Sequence, residues 1–502
     1  MDDSNAVFRS ERFRSVWRPL LTVACMSAVC SGLVVFSSNR SDAQQKVGVT
    51  EMAPSAVAQI KALMAEKAAR TSVQRKMSSQ LLYASKLARG EAVANGAVRT
   101  LATDVEVKEG RTTIEIRAAV TQDMLKQIKS LGGKVTKAYS FANTIEADVP
   151  LGALESLAAN PAVQFLTKPS QPIYNFEERS ARVRRQLEGA LTNYAQNPGA
   201  ITNAGTVNSQ GDATHRANLA RSTFNINGSG VRIGVLSDSF NATGGAAADI
   251  RSGNLPGAGN PNGFTTPVRL VGTGDSQGSD EGRAMLQIVH DLAPGAQLFF
   301  ATANGGPATF ANNIRALRNA GCNIIIDDVF YFIESGLHDG QPRPTNQNMA
   351  VVTQAVNDVV ANGALYFSSA GNSGNLNDGT SGSWEGDYRA GALPGPLAGA
   401  GVDALAFSGT TTSNGVTASS LVTMQWSDPL GAARNDYDLY VLNSTMTQVL
   451  AVSDDGQTGT QDPFEIVQVP NVSGARLVVV RFTGAARFMS ISANRGRFQF
   501  AT

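Results

Sequence analysis

The chain has 502 residues, 42% of them hydrophobic and 17% charged, which leaves room for two to four globular domains. Its 42 Lys and Arg nearly balance 41 Asp and Glu, for a formal net charge of +1. That balance gives no electrostatic reason to expect nucleic acid or an anionic membrane surface as partner.

Residues 1–43 read as a secretion signal. Arg9, Arg12, Arg14 and Arg18 precede an uncharged run from Pro19 to Phe36, and Ser41-Asp42-Ala43 offers small residues at the cleavage-determining positions. The apolar run is at the lower limit for a bilayer span, so the alternative is a retained anchor, with membrane contact only if the signal stays uncleaved. Cys25 and Cys30 fall inside this segment, and Cys322 is left alone in the mature chain. An exported chain without disulfides suits a bacterial periplasmic or secreted protein.

Residues 44–103 are Ala-rich and polar, predicting helix and disorder with no readable function. Residues 104–167 carry sharper signals. Ile114, Ile116 and Ala118 alternate with charged residues as in a strand. Thr121 caps a helix through Leu125, Ile128 and Leu131 that Gly132-Gly133 stops. Strands at 135–138 and 144–149, a helix at 151–159 and a strand at 163–166 complete a β-α-β-β-α-β order, the ferredoxin-like arrangement. Residues 168–225 are polar and include Arg182, Arg184 and Arg185, which reads as a processing linker; His215 within it reads as a solvated loop residue.

From 226 to 400 the pattern is α/β. Strands at 231–236, 297–301, 324–326 and 365–367 alternate with helices after Glu281, at 309–319 and at 349–361, which predicts a parallel sheet with helices on both faces. From 401 to 502 short alternating strands at 421–426, 438–442, 448–452, 477–482 and 488–491 predict an antiparallel β-sandwich. Asp436, Asp438, Asp454 and Asp455 read either as exposed strand-end carboxylates or as calcium ligands. Trp426, Tyr437 and Tyr440 read either as core or as a carbohydrate- or surface-binding cluster.

Three segments of the α/β region carry chemistry. Asp280-Glu281-Gly282-Arg283-Ala284-Met285 opens an amphipathic stretch that ends in Ala293-Pro294-Gly295-Ala296. Asp238 follows the first strand in Val235-Leu236-Ser237-Asp238, and Asn372 follows a later one in Ala370-Gly371-Asn372. These segments, over roughly residues 226–375, resemble the subtilase/sedolisin-like serine peptidases, whose corresponding helix begins Asp-His-Gly-Thr-x-Val. Glu281 stands where subtilases carry the catalytic His, as in the acid-active sedolisins.

The resemblance implies a secreted serine endopeptidase acting on polypeptides, with an incomplete subtilisin-like sheet. A ferredoxin-like α+β propeptide precedes it, docked on the catalytic domain, and a β-sandwich is inserted after it. It implies Glu281 as base, Asp238 as its support and Asn372 as oxyanion donor, with Asp327 and Asp328 at an edge of the substrate groove. Each has a structural alternative: a first-turn Glu on the helix dipole, a strand-end Asp, a turn Asn beside Gly, and a solvated acidic pair. The Asp238 alignment is offset by one residue, which requires a bulge or an altered loop. A Glu base, with an ordinary pKa of about 4.3 against about 6.5 for His, implies an acidic working range. Sedolisins support that Glu with an Asp one turn later; Met285 holds that place here and cannot assist.

No histidine substitutes. His290 lies nine residues beyond Glu281, about 180° round the helix, and His338 has no motif around it. No Gly-Thr-Ser-x-Ala-x-Pro nucleophile segment is recognisable. Gly379-Thr380-Ser381 matches three letters but continues Gly382-Ser383-Trp384, which is no helix start. The alternative reading is therefore a non-catalytic binding or scaffold protein, a pseudoprotease or a truncated gene product.

Overall fold

The computed structural model describes residues 51–95, 101–174, 205–334, 337, 350–372, 374–394, 397 and 402–502. The signal-like segment 1–43, the basic cluster Arg182, Arg184 and Arg185, and His338 lie outside them.

Two helices open the described part, α1 (Pro54–Ala69) and α2 (Ser79–Ala88). Proline at the first turn of α1 costs no hydrogen bond there, and Ser78 caps α2 by accepting from Leu81 N. A four-stranded antiparallel sheet follows: β1 (Arg111–Ala118), β2 (Lys134–Tyr139), β3 (Thr144–Pro150) and β4 (Val163–Thr167), in the order β2-β3-β1-β4. Helices α3 (Gln122–Ser130) and α4 (Leu154–Ala158) supply the two crossovers, and Thr121 Oγ1 caps α3 by accepting from Met124 N. Ile114, Ile116, Ile128, Ile145, Leu157 and Leu166 form its fully buried core.

A two-residue strand, β5 (Ile173–Tyr174), leaves this unit. Short helices α5 (Gln210–Thr214) and α6 (Ala217–Phe224) precede the first strand of a second sheet, and α7 (Ala246–Arg251) follows it. That sheet comprises β6 (Arg232–Ser237), β7 (Arg269–Leu270), β8 (Gln297–Thr302), β9 (Ile324–Asp327) and, beyond β10 (Val329–Phe330), β11 (Leu365–Ser368). All five pair parallel in the order β11-β9-β6-β8-β7.

Alternation along β6 separates its two faces. Ile233 and Val235 pack with Leu286 of α8 (Glu281–Leu292), while Leu236 packs with Ile314 and Leu317 of α9 (Pro307–Asn319) and with α10 (Val351–Ala361). Gly234 lets α9 come close, since a Cβ there would meet Leu317 Cδ2 at 2.8 Å. At the edge strand β11, Leu365 and Phe367 are exposed. β10 pairs antiparallel with β5, Val329 opposite Tyr174 and Phe330 opposite Ile173.

The remaining strands form two antiparallel sheets. One contains Ser383–Asp387, Phe488–Asn494, Leu421–Trp426 and Phe464–Gln468; the other is built around Arg476–Thr483 and Asp436–Leu442. The first strand starts at Ser383, ahead of the boundary at 401 read from sequence, because Ser-Trp-Glu-Gly-Asp lacks the apolar alternation that marks a half-buried strand. Trp426, Tyr437 and Tyr440 are fully buried. They belong to the core and offer no surface cluster for a carbohydrate.

The Ala-rich segment has a definite place. α1 and α2 lie against the outer face of this sandwich, in one apolar cluster with Tyr440, Leu442, Val478 and Val480. Asp436–Leu442 is therefore buried on both faces along its whole length. Asp436, Asp438 and Asp454 are buried as well and meet Lys67 and Arg70 of α1. The reading of exposed strand-end carboxylates is corrected on this point, and the calcium reading loses its ligands to these cations.

Candidate active site

Strands β6, β8, β9 and β11 run parallel, so the residues that follow Ser237, Thr302, Asp327 and Ser368 leave the sheet at one edge. In open α/β sheets this carboxyl-end edge is where ligands bind. Asp238, Asp328 and Asn372 all lie on it, and α8 begins there with Glu281.

The start of α8 is fixed by Asp280, whose backbone is left-handed at φ 63°. Its carboxylate accepts from Ser239 Oγ at 2.9 Å, Ala242 N at 2.7 Å and Thr243 N at 3.0 Å, and pairs with Arg283. Burial alone would raise its pKa; the bonds from Thr243, Ser239 and Ala242 outweigh that and hold it at about 2. Gly282 then allows the helix to settle on the sheet. A Cβ there would sit 2.3 Å from Phe300 Cε2 and 2.8 Å from Ser239 O.

Glu281 accepts a hydrogen bond from Ser237 Oγ at 2.7 Å. Burial raises its carboxyl to about 7, helped by the charges of Asp328 and Asp238 and opposed by the Ser237 bond and Arg495. At neutral pH the group is therefore divided between acid and base forms, which suits proton transfer.

Asp238 lies beside Glu281 without bonding to it. Its Oδ2 accepts from Ser279 Oγ at 2.6 Å, and its Oδ1 accepts from Ser239 N at 2.5 Å. The carboxylate thus holds the loop that leads into α8, and it acts on Glu281 through charge. Ser237 occupies the register position that faces α8, together with Ile233 and Val235. The one-residue offset in the sequence was the available signal for this serine, which sequence reasoning passed over. Ser237 is fully buried, so its hydroxyl orients Glu281 and does not face a substrate.

The acidic pair is split: Asp327 is the last residue of β9, and Asp328 lies between β9 and β10. Asp327 is buried, accepts from Ser368 Oγ at 2.6 Å and from the Tyr366 hydroxyl, and burial raises its pKa to about 6. It ties β9 to β11. Asp328 is half-buried and its charge acts on Glu281. Asn372 is exposed, four residues beyond β11.

The strand partner of β10 closes over this edge. Tyr174 donates its hydroxyl to Asn304 Oδ1 at 2.6 Å, and Asn304 Nδ2 donates to Ser276 Oγ at 2.9 Å and to the Asp238 carbonyl at 3.3 Å. Burial and the nearby charges of Asp238 and Glu281 push the Tyr174 phenol well above its usual range. Arg495, from the sandwich, donates to the Tyr174 carbonyl. Tyr174, Asn304 and Arg495 come from three distant segments, and no local motif marks them.

The decoys resolve simply. His290 is buried edge-to-face against Phe264 at 5.2 Å, and burial lowers its pKa to about 4. His215 is exposed at the end of α5. Ser381 is buried at the entrance to the sandwich, where its Oγ accepts from Ser383 N at 3.2 Å. Among the described residues no group of three or more His, Cys, Asp or Glu could hold a metal ion, and no helix is long and apolar enough to cross a membrane.

No protein-family model and no curated protein matches the chain. Among solved structures it is similar to the epidermin leader peptide processing serine protease (EpiP) of Staphylococcus aureus. A serine-to-alanine mutant of that protease is 14% identical at a TM-score of 0.34, over 54% of this chain and 63% of the other. A second EpiP structure is 12% identical at a TM-score of 0.28, over 54% and 63%. Fervidolysin from Fervidobacterium pennivorans, a keratinolytic enzyme related to subtilisin, is 12% identical at a TM-score of 0.28, over 55% and 42%. The chain thus spans less than two thirds of the length of each.

Proposed function

We propose that the chain is a secreted or periplasmic relative of the subtilase/sedolisin serine endopeptidases. Its cleft takes an extended polypeptide as an added strand on Val329–Phe330. The observation that carries this reading is the chain's own Ile173–Tyr174, paired antiparallel with that strand and adjacent to Glu281. Strand addition gives main-chain hydrogen bonds to any sequence, as an endopeptidase cleft needs.

In this reading Glu281 accepts the proton of an attacking hydroxyl that none of the residues assigned to the site supplies, Ser237 orients Glu281, Asp238 acts on it through charge, and Asn372 is the candidate donor to the oxyanion that such an attack would form. Asp328 lines the groove, and Asp327 holds the wall behind it. Residues 104–167 serve as the propeptide, and Ile173–Tyr174 just beyond them keeps the cleft closed. Burial and the charges of Asp328 and Asp238 hold Glu281 at about 7 against the Ser237 bond and Arg495, so it is protonated in acid and cannot accept a proton there. Withdrawal of Ile173–Tyr174 would lessen the burial that raises this pKa, and so would extend the working range toward acid.

The test is peptide hydrolysis between pH 4 and 7 by purified 502-residue protein and by Glu281→Gln. Turnover lost in the variant supports the endopeptidase. The second reading is a polypeptide-binding protein without turnover. It is favoured by one observation: the serine bonded to Glu281 is fully buried. Saturable peptide binding with neither hydrolysis nor fluorophosphonate labelling decides for it.

A further inference from the structure

The outer face of the β-sandwich has an occupant from the far end of the chain. Lys67 of α1 places its ammonium 2.5 Å from both Asp436 Oδ1 and Asp438 Oδ1, with the Lys67 side chain 3% exposed. One turn on, Arg70 donates to Asp454 Oδ1 at 3.0 Å and to the Asp454 carbonyl at 2.8 Å. Tyr83 of α2 donates to Asp454 Oδ2 at 2.7 Å, and Ser79 N donates to Asp455 Oδ1 at 2.6 Å. Around these bonds Ile60, Leu63 and Tyr83 are fully buried against Tyr440, Leu442 and Val478. Backbone bonds run along the border, Ala53 N to the Met446 carbonyl and Ala102 N to the Leu450 carbonyl, both at 3.0 Å.

Removal of α1 and α2 would uncover this apolar face and leave Asp436, Asp438 and Asp454 crowded together without a cation. Buried carboxylates stripped of their partners are strongly unfavourable, and an interface of this kind responds little to salt because solvent ions do not reach it. The ferredoxin-like unit adds lesser ties: Arg117 to Asp462 of the sandwich at 2.9 Å, and Tyr139 to Thr309 of α9 at 2.7 Å.

We infer that residues 51–174 are a built-in subunit of the protein, docked on the sandwich through Lys67 and Arg70, and stay bound when the chain is broken between Tyr174 and Gly205. The sandwich is thus a receptor for the chain's own N-terminal helices. The docking does not depend on the cleft assignment above.

The experiment uses the full chain with a recognition sequence for a site-specific protease inserted between Tyr174 and Gly205. After complete cutting, the two pieces are run on gel filtration at 0.15 M and at 1 M NaCl. Co-elution at one-to-one ratio in both salts is expected. Two separate peaks in native buffer overturn the inference. Lys67→Met, cut in the same way, should weaken association at least a hundredfold on dilution; association as tight as wild type would remove Lys67 and its two aspartates as the anchor. Neither measurement reads peptide binding or hydrolysis, so failure of the docking is distinguishable from failure of the proposed function.

Discussion

Ser237 Oγ donates to Glu281 Oε2 at 2.7 Å, so the last residue of β6 holds the carboxyl group at the head of α8. Asp238, the next residue, turns to the Ser279 loop instead. Ser237 thus reaches Glu281 by a hydrogen bond, while Asp238, like Asp328, acts on it through charge.

Replacing Ser237 by Ala removes the hydrogen bond that favours the charged form of Glu281. The Glu281 pKa should rise above about 7, readable by carboxyl-carbon NMR titration. Stability should fall by about 1 kcal/mol in urea melts, the usual worth of one such bond. An unchanged titration would show that Ser237 does not hold this carboxyl.

The pH dependence of stability has a definite sign. Glu281 has a folded-state pKa of about 7 against an ordinary 4.5, so the native state binds the extra proton between those values. Its contribution is full below pH 4.5 and is lost as pH rises through 7. Wild type should therefore lose stability relative to Glu281→Gln across that window, measured as the difference between their melting curves. A constant difference from pH 4 to 8 would contradict the raised pKa.

Gly282→Ala forces a methyl group to within 2.3 Å of the Phe300 ring and 2.8 Å of the Ser239 carbonyl. Neither neighbour can retreat freely, since Phe300 is fully buried in the sheet core. Overpacking of this kind costs about 1–3 kcal/mol. Thermal unfolding checks the loss, and the same variant should disturb the Glu281 titration because α8 is lifted at its first turn.

Tyr174→Ala weakens the strand that covers β10 by removing the bond to Asn304. A loss of about 1 kcal/mol from the covered state should let an added peptide bind about fivefold more tightly, followed by fluorescence polarisation. Binding that is unaffected would mean the peptide does not compete with Ile173–Tyr174.

Asp327 and Asp328 read as one acidic pair, and the sequence offers no way to separate them. In the fold Asp327, at the end of β9, turns inward to Ser368 and Tyr366, while Asp328, just beyond the strand, acts on Glu281. Asp327→Ala should therefore cost stability, about 3 kcal/mol for stripping buried polar partners, while leaving the Glu281 titration nearly unchanged. Chemical denaturation and the NMR titration together decide this.

What the sequence determined by itself was local. Apolar runs and alternation marked the parallel α/β region and half of the strands of the sandwich, because side-chain periodicity is written within a few residues. Glu281 was legible for the same reason: the acidic Glu-Gly start, the amphipathic run and the Ala-Pro stop all lie within seventeen residues, 280 to 296. The tertiary structure alone decided who touches whom. Lys67 and Asp438 are 371 positions apart, and Tyr174 and Arg495 are 321 apart; no short-range pattern records such a meeting. It also decided that Ser237, not Asp238, faces Glu281, since one residue of register along a strand exchanges the two faces of the sheet.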